Sequence, residues 1–400
     1  MLEAYIYDGL RTPFGRHSGA LSRVRPDDLL AGVIKEVVAR AGFAMESIDD
    51  VSVGCASQAG EDSRNVARHA LLLAGLPTDT PGAVHNRLCG SGLNALVGAA
   101  HAITCGEADV CIAGGVESMT RAPFVVGKAD QAFARNLTVF DSSLGARFPN
   151  PKIESRFGAD TMPETADNLA REHQISREEC DLFALGSQQK YARAAKDGFF
   201  QSEIHPASVP QGRNKPDLAV TDDEHPRPET TMDTLLKLKP LFAQGVTTAG
   251  NASGINDGAA ALIVASRDAG EKAGVKPMAR IIASGVAGVE PRIMGFGPVP
   301  AAKKALERAG LTLKDMDVIE VNEAFAAQVL ACLKGFGVPL DDKRVNPNGG
   351  AIAVGHPLGA SGARLALTAA RQLQATGGRY ALVSMCIGVG QGIAVVLERE

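Results

Sequence analysis

Tryptophan is absent from this chain of 400 residues, and aromatic residues make up only 4% of it. No stretch interleaves aromatic with basic residues, and the net charge is −4, so there is no electrostatic footprint for a nucleic acid. Paired cysteine motifs are missing as well. The seven cysteines are an odd number at irregular spacing without a Cys-x-x-Cys. That argues against a disulfide framework or a zinc site and points to a reducing, cytoplasmic setting. No apolar run approaches the ~18–20 residues of a membrane span. The opening Met1-Leu-Glu-Ala-Tyr-Ile-Tyr-Asp8 lacks the basic-then-apolar order of a signal peptide.

What is present in excess is glycine, 44 residues, on an otherwise ordinary background of 45% hydrophobic and 22% charged residues. The length allows two or three domains and a large core. Three glycine-rich loops carry reactive side chains. Cys89 lies in Asn86-Arg-Leu-Cys-Gly-Ser-Gly92, at the start of a small-residue helical run. His356 lies in Gly349-Gly-Ala-Ile-Ala-Val-Gly-His-Pro-Leu-Gly-Ala-Ser-Gly362. Cys386 lies in Met385-Cys-Ile-Gly-Val-Gly-Gln-Gly392, directly after an apolar strand. Cysteine, histidine and cysteine in three such loops suggest thiolate chemistry with a second thiol as acid and base.

The chain repeats itself. Lys35-Glu-Val-Val-Ala-Arg-Ala-Gly42 matches Lys303-Lys-Ala-Leu-Glu-Arg-Ala-Gly310, and Leu88-Cys-Gly-Ser-Gly92 matches Leu358-Gly-Ala-Ser-Gly362, both at an offset of about 270 positions. The first pair reads as amphipathic helices ended by glycine, each leading into a strand, Asp50-Val-Ser-Val-Gly54 and Asp317-Val-Ile-Glu-Val321. Each half alternates strand and helix, which predicts a duplicated α/β unit with mostly parallel sheets. The middle differs: residues 121–246 are rich in proline, charge and turns, and read as an inserted loop or lid domain. Helices are expected there at 163–173 and 177–198, the second capped by Ser176. Core-like sequence returns at Val246, with a strand at 259–265. The first half is therefore 1–120 plus 247–270, and the second 271–400.

A cysteine before a helix sees the positive end of the helix dipole, which favours thiolate at Cys89. A neutral imidazole at His356 can take a proton from that thiol. For an isolated histidine a backbone-bonded loop position is the ordinary reading, and His17, His69, His85, His101, His173, His205 and His225 take it. Cys386 can give or remove a proton at a carbon acid, and the glycines after it offer backbone N–H groups as an oxyanion hole. Cys55, Cys105, Cys111, Cys180 and Cys332 read as small core residues. Asn322, in Asn322-Glu-Ala-Phe-Ala-Ala327, is a good helix N-cap; its amide can equally hold a water against His356. The local sequence does not choose between the two.

With these pieces in view the chain resembles the thiolases, the acetyl-CoA C-acyltransferases. The resemblance spans essentially the whole chain. It includes Arg11-Thr-Pro-Phe-Gly15, Asn86-Arg-Leu-Cys-Gly-Ser-Gly92, Gly114-Gly-Val-Glu-Ser-Met119, Gly250-Asn-Ala-Ser-Gly-Ile-Asn-Asp-Gly258, Asn346-Pro-Asn-Gly-Gly350 and Cys386-Ile-Gly-Val-Gly-Gln-Gly392. It implies two halves layered αβαβα with a loop domain inserted in the first, assembled as a homodimer or homotetramer. It implies Cys89 as acylated nucleophile, His356 as its base and Cys386 as the proton donor at the α-carbon. The N–H groups of Cys89 and Gly388 would bind one thioester oxygen, and Asn322 with His356 would form the other oxyanion site. Coenzyme A would be a co-substrate rather than a resident cofactor, with Ser253 near its pantetheine and Arg227 on the loop domain. Met162, Phe242, Met294 and Phe325 would line the pantetheine or acyl tunnel. No metal is implied.

Within the family the chain looks most like members that act on 3-oxoadipyl-CoA, on stretches such as Phe140-Asp-Ser-Ser-Leu-Gly-Ala-Arg-Phe148 and Asp160-Thr-Met-Pro-Glu-Thr-Ala166. Those members commonly have tryptophan where this chain has Ala146. A dicarboxylic acyl chain needs a partner for its distal carboxylate, and Arg147 is the candidate, its alternative being a surface or structural arginine. An acetoacetyl-CoA or broad-range 3-oxoacyl-CoA thiolase is the other enzymatic expectation, and a non-catalytic acyl-CoA binder the distant one.

Overall fold

The computed structural model describes residues 1–129 and 131–400. One ten-stranded sheet runs through both halves. Along its path the first half contributes Gly82–His85, Asp50–Gly54, Val110–Ser118, Asn256–Ala265 and Ala4–Arg11. The second contributes Ala279–Gly288, Gln391–Arg399, Tyr380–Ile387 and Val318–Val321. The halves join where Ala4, Tyr5 and Ile6 pair antiparallel with Ile281, Arg280 and Ala279. The duplication inferred from the repeat is visible in this order. Asp50–Gly54 lies parallel to Val110–Ser118 as Val318–Val321 lies parallel to Tyr380–Ile387. Where the first half adds the edge strand Gly82–His85, the second has only a parallel bridge from Ile319 to Val345.

The expectation of mostly parallel sheets is corrected. Parallel pairing is confined to Gly82–His85, Asp50–Gly54 and Val110–Ser118, and to Val318–Val321 with Tyr380–Ile387. The other pairs in the sheet are antiparallel. The physical reason is that each half ends without a crossover helix. Tyr380–Ile387 turns directly into Gln391–Arg399 through Gly388-Val-Gly390. In the first half the equivalent antiparallel partners are Val110–Ser118 and Asn256–Ala265, and the whole proline-rich segment stands in place of that short turn. The segment's helices Met162–Glu172 and Arg177–Lys196 form as expected. Ser176 and Glu179 complete a reciprocal capping box at the second.

Five layers result, counted across the two halves together. Pro26–Ala41 and Val66–Ala74 cover the outer face of the first sheet half in one apolar cluster. Ser91–Thr104 and Leu358–Thr376 lie between the sheet halves in a second. Pro298–Ala309 and Ala326–Phe336 cover the far side of the second half. Gly42 and Gly310 end matching outer helices at φ 80° and 68°, as the repeat predicts. The two central helices touch backbone to backbone at their N-terminal ends. A Cβ on Gly359 would collide with the carbonyl oxygens of Gly54 and Val116, and one on Gly92 with that of Gly359. Small residues in the repeat therefore serve close approach. Of the cysteines read as core, Cys55, Cys111, Cys180 and Cys332 are buried; Cys105 is exposed, because it caps the end of Ser91–Thr104 rather than facing the interior.

Among the described residues no helix is long and apolar enough to cross a membrane.

Candidate active site

The reactive loops converge at the C-terminal ends of the parallel strands and the N-terminal ends of the two central helices, where an α/β sheet ordinarily opens a ligand crevice. Cys89 follows Gly82–His85 and precedes Ser91–Thr104. Leu88 beside it has φ 46°, unusual for a bulky residue. Its turn is held closed: Asn86 Oδ1 accepts from Leu88 N at 3.0 Å, and Ser91 Oγ donates to Leu88 O at 2.6 Å. Opposite, the turn after Cys386 carries a second strained residue, Val389 at φ 62°. Two strained turns thus face each other, one carrying the candidate nucleophile and one the candidate oxyanion donor.

The dipole argument predicted a thiolate at Cys89, and the structure corrects it. Burial pushes the thiol up, and the backbone N–H groups of Gly388 and of Cys89 itself oppose that shift without reversing it. The helix begins one residue beyond the N-cap Gly90, so the sulfur sits outside its first turn. A resting thiol then requires a base. Cys386 is buried and is pushed further above the ordinary thiol range, first by burial and then by the nearby Cys89.

His356 is buried, and burial together with Arg364 lowers it to about 3, so it is neutral at pH 7. Its tautomer follows from its neighbours. Nδ1 lies 2.6 Å from Ser361 Oγ, and that hydroxyl is also 2.9 Å from Pro357 O. A hydroxyl has one proton; donating it to the carbonyl leaves the oxygen to accept from Nδ1–H. Nε2 is then unprotonated, and Asn322 Nδ2 lies 3.3 Å from it. Asn256 Oδ1 accepts from the His356 backbone N–H at 2.9 Å. The helix-cap reading of Asn322 fails: the helix begins at Ala326 with Phe325 at the cap, and Asn322 is fully buried with Oδ1 unpartnered.

Met294, Phe325 and Cys386 share one apolar cluster with the helix Met162–Glu172. Met162 Sδ would lie 3.7 Å from a Cβ placed on Gly388. Ser253 N donates to Ala324 O at 2.9 Å, next to Phe325, and His225 packs against the adjoining Gly254. Arg227 and Phe242 stand exposed on the inserted segment, Arg227 N donating to Gln188 Oε1 at 2.9 Å. Arg147 is half-buried. It donates to Ser142 O, lies 3.4 Å from Ser57 Oγ, and its buried Nε has no partner.

Sequence reasoning passed over two residues that organise the site. One is Ser361, whose signal was available, since the offset of the repeat places it opposite Ser91. The other is Glu117. Its carboxylate accepts N–H bonds from Ala56 at 3.0 Å, Ser57 at 2.8 Å and Gly359 at 2.9 Å, tying the first half to the helix that carries Ser361. Burial pushes it up to about 7.

A duplicated α/β fold that gathers in glycine-rich loops a cysteine with a backbone N–H at its sulfur, a neutral histidine and a second buried thiol is that of an acyltransferase. The comparisons agree. The chain matches the thiolase N-terminal domain over residues 4–268 and the thiolase C-terminal domain over residues 275–399. It belongs to the thiolase family. It is 59% identical over 403 aligned residues to the 3-oxoadipyl-CoA/3-oxo-5,6-dehydrosuberyl-CoA thiolase of Escherichia coli (strain K12), covering 100% of both chains. It is 56% identical to a beta-ketoadipyl-CoA thiolase of Acinetobacter baylyi, again over 100% of both. Among solved structures, human mitochondrial 3-ketoacyl-CoA thiolase superposes with a TM-score of 0.92 at 42% identity, over 100% of this chain and 99% of that one. The same human enzyme has been solved in complex with CoA, with a TM-score of 0.91 at 41% identity, over 100% of this chain and 98% of that one.

Proposed function

We propose that this enzyme cleaves 3-oxoadipyl-CoA with coenzyme A, giving succinyl-CoA and acetyl-CoA. The observation that supports the acyl-transfer chemistry is a neutral His356, its Nε2 unprotonated, in the same set of converging loops as a Cys89 thiol that burial pushes up. His356 takes the Cys89 proton as sulfur attacks the 3-keto carbon. The C2–C3 bond breaks, the succinyl group stays on Cys89, and the acetyl-CoA enolate leaves. Cys386 gives its proton to the enolate carbon and regains one from the thiol of incoming CoA. That thiolate then displaces the succinyl group from Cys89, which recovers its proton from His356. Backbone N–H groups of Cys89 and Gly388 hold one oxyanion, and Asn322 with His356 the other. Ser253, Met162, Met294 and Phe325 line the pantetheine and acyl path, with Arg227 and Phe242 at its outer end on the inserted segment.

The choice of a dicarboxylic acyl chain rests on the two bacterial relatives and on Arg147, whose unpartnered Nε leaves one donor for a distal carboxylate. Thiolysis rates with 3-oxoadipyl-CoA, acetoacetyl-CoA and a long-chain 3-oxoacyl-CoA test it. The proposal expects the highest kcat/KM for 3-oxoadipyl-CoA, and a selective loss of that preference in Arg147→Ala. Equal losses on all three substrates would return Arg147 to a structural role.

The same reading includes a homodimer or homotetramer. Support comes from the edge strand Gly82–His85, which is not fully buried, and from exposed apolar side chains on the inserted segment, among them Phe124, Leu137, Leu144 and Phe148. Sedimentation at several concentrations would show a single protomer mass if the reading is wrong.

A further inference from the structure

Asn322 lies just past the strand Val318–Val321, and His356 lies in the loop that follows the short turn Ala351–Val354. The two are 34 positions apart in sequence, yet Asn322 Nδ2 comes to 3.3 Å from His356 Nε2. One buried side chain touches both segments. Glu323, the residue after Asn322, accepts through its carboxylate from Ile352 N at 3.1 Å, within the turn. It also accepts from Asn346 Nδ2 at 2.8 Å and from Ser187 Oγ at 2.6 Å. Ser187 stands on the helix Arg177–Lys196 of the inserted segment, and its hydroxyl accepts in turn from Gly350 N at 3.1 Å.

The loop is shaped around this carboxylate. A Cβ on Gly350 would collide with the carboxyl group of Glu323, and one on Gly349 with Ser187 O. The chain before Asn322 is pinned as well. Asn346 Oδ1 accepts from Val321 N at 2.8 Å, and its Nδ2 donates to Val321 O at 2.9 Å. A carboxylate buried on three neutral donors is costly, and the fold does not demand one here. Aligning Asp50–Gly54 with Asp317–Val321 places Ala56 at the corresponding position of the first half.

We infer that Glu323 is a positioning residue: by joining the strand end that bears Asn322 to the turn that leads to His356, it sets the oxyanion site between them. The imidazole has supports of its own, Ser361 at Nδ1 and Asn256 at the backbone N–H. Loosening Glu323 therefore displaces the Asn322 amide rather than the base. Ser187 extends the clamp to the inserted segment. Beside it, Gln188 Nε2 donates to Ile352 O at 3.2 Å and Gln188 Oε1 accepts from Arg227 N at 2.9 Å. The segment proposed to bind coenzyme A is thereby tied to the same turn.

The inference rests on the proposed function in giving Asn322 and His356 the oxyanion of the departing acetyl-CoA enolate. The N–H groups of Cys89 and Gly388 then hold the oxygen of the acyl group on Cys89. Two rates on the full-length protein separate these sites. One is thiolytic cleavage of 3-oxoadipyl-CoA and of acetoacetyl-CoA. The other is exchange of labelled CoA into succinyl-CoA and acetyl-CoA, which forms and discharges the Cys89 thioester without an enolate. Glu323→Gln keeps the shape but turns one acceptor into a donor. Ser187→Ala removes a single bond from the carboxylate and keeps the test decisive if the first variant fails to fold. Cleavage kcat should fall roughly tenfold or more in Glu323→Gln, and in the same direction in Ser187→Ala, with exchange changed less than about threefold in both. A structural role alone would move both rates together. Cleavage and exchange falling equally, or neither changing, would overturn the inference and leave the proposed function in place. An unsubstituted enzyme that exchanges CoA but cleaves neither 3-oxoacyl-CoA would overturn the proposed function, and the enolate site with it.

Discussion

Ser361 Oγ accepts from Nδ1 of His356 at 2.6 Å and donates to Pro357 O, so one hydroxyl fixes Nε2, beside Asn322, as the unprotonated nitrogen of the imidazole. Ser361→Ala removes that constraint while leaving the ring in place. Loss of one hydrogen bond worth about 1.4 kcal/mol in the reacting tautomer corresponds to a roughly tenfold fall in kcat. KM for coenzyme A should hardly change, because Ser361 is fully buried beneath the ring. Steady-state kinetics with CoA varied separate the two effects; a KM change with kcat intact would show that the serine shapes the binding path instead.

The inserted segment is locked to the first half through buried charge. Arg11 donates from Nη1 and Nη2 to Asp223 at 2.6 and 2.8 Å and from Nε to Glu203 at 2.8 Å, and both ion pairs have fully buried side chains. Tyr191 Oη adds a bond to Asp223 at 2.8 Å. Removing one partner strands the others. Asp223→Ala should cost about 3–5 kcal/mol, read as a lower midpoint in urea unfolding. A loss below 1 kcal/mol would mean that water replaces the carboxylate at little cost.

Glu117 gives a stability that depends on pH. Its folded value, about 7, lies above the ordinary glutamate value of about 4.5 because burial disfavours the charged form. The folded state therefore holds a proton that the unfolded chain releases. This contribution is fully present below about pH 4.5 and is lost as pH rises through about 7. Glu117→Gln carries no such proton, so its stability relative to the unsubstituted enzyme should rise across that window. Chemical unfolding of both proteins at several pH values measures the difference; a flat difference would place the Glu117 value near that of an ordinary carboxylate.

Much of this architecture could be read from the chain because duplication leaves a trace that one sequence can show by itself. The matching Gly42 and Gly310 helix ends and the two Ser-Gly helix starts marked both halves, and the reactive loops stood out by their glycines. Strand direction was not legible. Whether a strand returns through a helix or a short turn depends on where Gly388-Val-Gly390 reverses the chain, and in the first half that turn is replaced by an insertion. Asn322 looked like a cap because its type suits one; its role depends on His356, 34 positions away in sequence. The thiolate expected at Cys89 was lost to burial, which local sequence does not record.

The most direct test of the central claim is intact-protein and peptide mass spectrometry after mixing the enzyme with 3-oxoadipyl-CoA in the absence of free CoA. The account predicts a succinyl thioester on Cys89, formed together with one equivalent of acetyl-CoA and discharged when CoA is added. Acetyl-CoA release without an adduct, or an adduct on Cys386 with Cys89 unmodified, would contradict it.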